Sequence, residues 1–111
     1  MQEPTFLILT ALAGGPLHGY GVIASVEEMS DRQVRLRAGT LYAALDRLQS
    51  ERLVVADREE VVGGRLRRYY RLTEEGAAAL SAEVERLRRR AEPASRRLAA
   101  LRPVPGIASF A

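Results

Sequence analysis

Gly39-Thr40-Leu41-Tyr42-Ala43-Ala44-Leu45-Asp46-Arg47-Leu48 is the segment from which the organisation of this 111-residue chain can be worked out. Leu41, Leu45 and Leu48 stand at i, i+4 and i+7, one apolar stripe of a helix expected from about Ala38 to Glu51. The opposite side of that helix carries Gly39, Ala43, Asp46, Arg47 and Ser50, with Thr40 and Tyr42 on the flanks. Such a helix can bury its stripe in a core. Its thin, polar back is left free to bring the backbone close to another surface.

Downstream, Leu53-Val54-Val55-Ala56 begins a strand, Gly63-Gly64 gives a turn signal, and Leu66 to Leu72 returns. The tip, Glu59 to Gly64, reads as too long for a two-residue hairpin and is expected to be floppy. Period-two geometry puts Arg65, Arg67, Tyr69, Arg71 and Thr73 on one strand face. Three arginines and a tyrosine make a poor core face and a good phosphate-facing one. A slender helix beside a basic hairpin is the layout of a winged helix-turn-helix.

The flanking segments fit. Glu3-Pro4-Thr5 opens a first helix, with proline suited to its first turn. Phe6 to Ala13 is apolar nearly all round, as in a helix deep in a core or shared with a partner. Gly14-Gly15-Pro16 ends it. His18-Gly19-Tyr20 starts a second helix running to about Met29, with Val22, Ile23, Val26 and Met29 on its apolar edge. Ser30-Asp31-Arg32 is a turn, and Val34-Arg35-Leu36 alternates briefly like a short strand. Thr73 reads as the N-cap of the final helix, with Glu74 and Glu75 in the first turn where the helix dipole favours acids. That helix repeats Leu80, Val84, Leu87, Ala91, Ala94, Leu98 and Leu101 at alternating spacings of four and three, a heptad seam. Pro93 interrupts it, and a kink or a break is expected there. Pro103 and Pro105 end the helix.

The predicted fold is therefore mostly α with a small β-hairpin: a winged helix-turn-helix plus a C-terminal dimerisation helix. Residues 1–75 form the winged-helix unit, residues 76–103 the dimerisation helix with its kink near Pro93, and residues 104–111 a flexible tail. Phe6, Leu9, Leu80, Val84, Leu87, Ala91, Leu98 and Leu101 are the expected dimer interface. Packing of the same helices within one subunit is the competing reading.

Composition narrows the chemistry. With no cysteine and one histidine, the chain has no disulfide framework, no thiolate nucleophile and no clear metal-ligand set. No serine, cysteine or paired carboxylate stands at a catalytic spacing from His18, which reads as a structural helix-start residue. No apolar run is long enough to cross a bilayer, and Met1-Gln2-Glu3-Pro4 lacks a basic leader, so a cytoplasmic location is expected. The net charge of +3 is only mildly basic, but all 17 basic residues are arginines. Arginine forks onto phosphates and guanine edges where lysine acts as a point charge.

On these grounds the DNA-contacting residues are expected to be Thr40, Tyr42 and Arg47 from the third helix and Arg65, Arg67 and Arg68 from the hairpin. Tyr20 is added as a backbone contact. The bland alternatives are Thr40 as a helix cap, Tyr42 as half-buried core, and hairpin arginines paired with Glu59 and Glu60.

Three motifs together resemble the PadR family of bacterial transcriptional regulators: His18-Gly19-Tyr20 after Gly15-Pro16, Gly39-Thr40-Leu41-Tyr42 with Ala44-Leu45 and Arg47-Leu48, and Arg67-Arg68-Tyr69-Tyr70-Arg71-Leu72-Thr73-Glu74-Glu75-Gly76. The resemblance covers residues 6 to about 87. The resemblance implies a homodimer joined through its terminal helices, repressing at a palindromic operator in double-stranded DNA. It also implies that a small aromatic or drug-like effector can be the releasing ligand, bound between subunits. Ala43 and Leu66 stand where the family often has proline. With no tryptophan, a tryptophan-stacking ligand pocket cannot form. No cofactor, no enzymatic activity and no membrane partner are expected. A protein-interaction adaptor built on a degenerate winged helix is the third class.

Overall fold

The computed structural model describes residues 1–101. The elements are α1 (Glu3–Ala13), β1 (Leu17–His18), α2 (Gly19–Met29), α3 (Ala38–Ser50), β2 (Val54–Val62), β3 (Arg65–Leu72) and α4 (Glu74–Ala99). Pro103, Pro105 and the expected tail lie outside the described residues. Ile8, Leu9, Ala11 and Leu12 of α1, Val22 and Val26 of α2, and the Leu41-Leu45-Leu48 stripe of α3 form one core, closed by Val54 and Tyr70 from the sheet. This is the three-helix body and wing of a winged helix.

Side-chain and backbone caps explain where the helices stop. Beyond α3, the Leu53 N–H donates to the Leu48 carbonyl and the Arg52 N–H to the Gln49 carbonyl, with Arg52 left-handed at φ 63°. This is the Schellman arrangement, and it turns the chain sharply from the helix into β2. At the start of α4, Thr73 Oγ1 accepts from the Gly76 N–H at 2.9 Å, as expected of an N-cap, and donates to the Arg52 carbonyl at 2.7 Å. One threonine thus starts α4 and ties it to the end of α3.

Several expectations are corrected. The hairpin tip is not the long loop expected. β2 runs on to Val62, and Gly63-Gly64 alone makes the turn, with φ of 58° and 78° as a type I′ loop requires. Cross-strand pairing of Glu59, Glu60, Val61 and Val62 with Arg68, Arg67, Leu66 and Arg65 draws the charged segment into the ladder. The extra residue shows instead as a bulge between Ala56 and Glu59. Val34-Arg35-Leu36 is not a strand. Ser30 Oγ accepts the Val34 N–H at 3.0 Å and holds this stretch as a loop. A two-residue strand not foreseen, β1, pairs antiparallel with β3 (Leu17 opposite Tyr70, His18 opposite Tyr69), giving a sheet ordered β1-β3-β2. Met29 is 42% exposed rather than on the packed edge of α2. Helix α4 is unbroken through Pro93. The carbonyl that proline leaves without a donor lies in an exposed stretch, where water can take it.

Candidate nucleic-acid interface

The stripe of α3 is wholly buried, so the rest of the helix is fixed facing outward, with Gly39, Thr40, Tyr42, Ala43, Asp46 and Arg47 all exposed. Nothing lies within 4 Å of where a Gly39 side chain would begin, so the N-terminal back of α3 is open. Arg37 at the N-cap supplies no capping side chain, and the first turn has no acid. The first backbone N–H groups therefore have no side-chain acceptor there, and their partial positive charge suits an anion.

Beside this helix is an open cleft of about 460 Å³ lined by His18, Gly19, Tyr20, Tyr42, Val62, Arg65, Leu66, Arg67 and Arg68. It brings together five of the seven expected DNA-contacting residues. Tyr20, 68% exposed, projects from the first turn of α2. Tyr42 lies across that turn from α3. The wing supplies the arginines. Thr40 is exposed but does not line the cleft. Arg47 turns the other way: its guanidinium donates to Thr5 Oγ1 at 2.8 Å and to Glu51 Oε1 at 3.2 Å, tying the start of α1 to the end of α3.

The wing's charge is partly answered from within. Arg68 Nε donates to Glu59 at 3.1 Å, Arg58 Nε to Glu60 at 2.9 Å, and Arg71 lies 3.3 Å from Asp57. The hydrogen bond from Arg58 holds the Glu60 carboxyl below its ordinary range, and Glu59 raises the Arg68 guanidinium. Among the described residues, Arg65 and Arg67 make no ion pair, so they carry the wing's least compensated charge. Arg58 also lies over the Tyr69 ring at 4.0 Å, and His18 meets the same ring edge-on at 5.4 Å. Partial burial, reinforced by nearby Arg67, holds His18 below its ordinary pKa, which favours the neutral imidazole. The histidine thus serves as a packing piece between β1 and the wing. Sequence reasoning offered pairing with Glu59 and Glu60 as the bland alternative, but missed Asp57 as a partner of Arg71 and the role of Gly19. The signal for the second was two glycines flanking Tyr20 in one helical turn.

The expected dimer residues divide. Leu9 is wholly inside the subunit's own core and has no surface to offer a second copy. Phe6, Leu80 and Val84 are half-buried, while Leu87, Ala91, Leu98 and Leu101 are exposed. Phe6, Leu7 and Leu87 line an open groove with Glu83 and Arg86. Glu83 is only 8% exposed, and both its oxygens accept from Arg86, at 2.7 and 2.6 Å. Arg86 beside it lowers the Glu83 pKa to about 2.

Among the described residues no group of three or more histidines and carboxylates could hold a metal ion. Among the described residues, no helix is long and apolar enough to cross a membrane.

Residues 8–82 match the family described as "Transcriptional regulator PadR-like family". Over 74 residues the chain is 40% identical to "Transcriptional regulator Rv3488" of Mycobacterium tuberculosis, covering 67% of this chain and 65% of that protein. A shorter stretch of 53 residues is 47% identical to an uncharacterized 37.1 kDa protein in transposon TN4556 of Streptomyces fradiae, covering 48% of this chain and 15% of that protein. The chain thus spans less than two thirds of the length of either relative. Among solved structures, a PadR family regulator from Clostridium difficile superposes with a TM-score of 0.70 at 26% identity, covering 87% of this chain and 99% of that one. Bacillus subtilis PadR in complex with operator DNA superposes with a TM-score of 0.65 at 21% identity, covering 95% and 51%. The match extends over the core helices, the exposed α3 and the wing, and the chain belongs to the PadR-like family of transcriptional regulators.

Proposed function

We propose that this regulator is a cytoplasmic homodimeric repressor that binds a palindromic operator in double-stranded DNA. One observation carries the reading. Tyr20, Tyr42, Arg65, Arg67 and Arg68, from three separate elements, converge on one cleft beside the open back of α3. A helix of this kind lies in a major groove and reads from its N-terminal half, so Thr40 and Tyr42 face base edges or the flanking phosphates. Arg65 and Arg67 take phosphates or dip into the minor groove, and Arg68 joins them if phosphate displaces Glu59. Tyr20 meets the backbone next to the groove. Arg47, held by Thr5 and Glu51, is the weakest of these contacts. The Bacillus subtilis relative, crystallised on its operator, has the same fold.

The dimer reading rests on α4. Leu87, Leu98 and Leu101 are 40%, 60% and 57% exposed on one heptad seam. Burying a leucine yields about 1.5–3 kcal/mol, so a second copy has a strong apolar reason to cover them. A two-fold dimer presents two copies of α3 about one helical turn apart.

Hydroxyl-radical footprinting on the DNA upstream of the protein's own coding sequence tests the whole reading. The expected result is two protected segments about 10 base pairs apart, related by symmetry, on a complex with two protein chains. A protein that remains monomeric, or that binds all duplexes alike, overturns it.

A second reading, an effector-sensing dimer, draws on the groove lined by Phe6, Leu7 and Leu87, which is large enough at about 460 Å³ for a small aromatic molecule. Displacement of the Phe6, Leu7 and Leu87 NMR signals by such compounds, with release of DNA, supports that reading. Its absence across a panel of planar apolar compounds removes it.

A further inference from the structure

The first turn of α2 reads Gly19-Tyr20-Gly21, a sequence that local energetics disfavours. Each glycine sacrifices helix propensity relative to alanine, and neither has a positive φ to excuse it. The tertiary structure supplies the reason. A Cβ built on Gly19 would fall 2.7 Å from Cζ and 3.2 Å from Cε1 of Tyr42. A Cβ built on Gly21 would fall 3.2 Å from both Cε1 and Nδ1 of His18. Two rings from two other elements lie on the two bare positions, and the exposed Tyr20 stands between them.

The contacts differ in severity. At Gly21 the neighbour is an imidazole a few tenths of an ångström too close, and a small shift relieves it. At Gly19 the phenol would overlap the new methyl group outright. Tyr42 would have to leave, because its own Cα is fixed by the buried Leu41 and Leu45 on either side of it. The backbone of Gly19 is itself buried. Its missing side chain therefore sets how close the Tyr42 ring lies to α2, and with it the position of the phenol in the cleft shared with Tyr20, Arg65 and Arg67.

We infer that Gly19 is a positioning residue for DNA recognition: the empty space at the start of α2 is the seat that holds Tyr42 in its reading position. This rests on Tyr42 being a DNA contact, as proposed above. A bulkier residue at position 19 displaces the ring without touching DNA itself.

A double-mutant cycle tests it, using the full chain with Gly19→Ala, Tyr42→Leu and the double variant. Operator affinity, non-specific DNA affinity and thermal midpoint are measured for each. Both single variants are expected to weaken operator binding roughly tenfold, with non-specific affinity changed less than about twofold. In the Tyr42→Leu background, Gly19→Ala should have no further effect on affinity, and the thermal midpoint should be equal or slightly higher because alanine is the better helix former. Gly21→Ala is the control and should leave operator affinity within about twofold. Nuclear Overhauser contacts between the Gly19 α-protons and the Tyr42 ring in the free protein check the seat without DNA. A Gly19→Ala penalty that persists in the Tyr42→Leu background, or absent Overhauser contacts, overturns the inference. If Tyr42→Leu alone leaves operator affinity unchanged, it is the DNA reading of Tyr42 that fails. The seat is then judged by the Overhauser contacts and the thermal cycle.

Discussion

The two halves of α4 continue one heptad seam and meet opposite surroundings. In the proximal half, Gly76 is pressed against the backbone of Leu53, Leu80 is packed at the edge of the core, and Glu83 is buried beside Arg86 and the Met1 amino group. In the distal half, Leu98 is more than half exposed and Ala91 and Ala94 face solvent, as does Leu101 just past the end of the helix at Ala99. The cause is length. Helix α1 has 11 residues, about 16 Å, and α4 has 26, about 39 Å. Among the described residues nothing is long enough to cover the whole seam, so the far end projects and the longest axis reaches 61 Å. A periodic apolar stripe therefore fixes which face of a helix is to be covered and leaves open what covers it.

The largest effect is expected where this contrast is broken at the distal end. Leu98→Asp with Leu101→Asp puts two charges on the bare seam. It should convert the proposed dimer to monomer by sedimentation and lower operator affinity roughly 10²–10⁴-fold, the contribution of a linked second half-site. Unfolding of the subunit itself should hardly change. An unchanged mass would mean that the distal seam is not the dimer contact.

At the proximal end the expectation reverses. Gly76→Ala drives a methyl group into the Leu53 carbonyl, and overpacking against backbone costs about 1–3 kcal/mol, readable by urea denaturation. Alanine tolerated at position 76 would show that the two halves are held with similar looseness.

Glu83→Gln sharpens the contrast through pH. The native carboxyl titrates near 2, below its unfolded value of about 4.3. Its stabilising effect is thus complete above the unfolded value and lost as pH falls from there toward 2. The variant should have a lower thermal midpoint at neutral pH, and the gap from the parent should close on acidification through that window. Glu85→Gln, on an exposed pair with Arg88, should show almost no gap.

The smallest effect separates the arginines of the wing from those of the distal helix. Arg67→Ala should reduce the salt dependence of DNA binding by about one unit of slope, whereas Arg89→Ala, on the projecting helix, should leave it unchanged. Equal slopes for the two would spread the DNA footprint onto α4.

Much of this was legible residue by residue. The stripe of α3, the Thr73 cap and the seam of α4 are repeating or local signals, readable from the side chains within a turn or two. The wing was legible as a strand pair but not in its length. Asp57, Arg58, Glu59 and Glu60 have the composition of a loop, and only the pairing of Glu59 and Glu60 with Arg68 and Arg67 of β3, beyond the bulge, carries the strand through them. Arg47 had the right spacing for an outward arginine. Its partner Thr5, 42 residues away, is a contact that spacing along the chain does not report.

The sequence by itself determined the order of the four helices and the two wing strands, the buried stripe of α3 and the family, because these follow from periodicity, capping chemistry and short motifs acting at close range. Tertiary structure alone decided that the Tyr42 ring lies on Gly19, that Arg47 turns from the cleft while Arg65 and Arg67 remain in it, and that the α4 seam is covered at one end only. Each of these depends on how far one element reaches past another, a distance in space that no local pattern of side chains encodes.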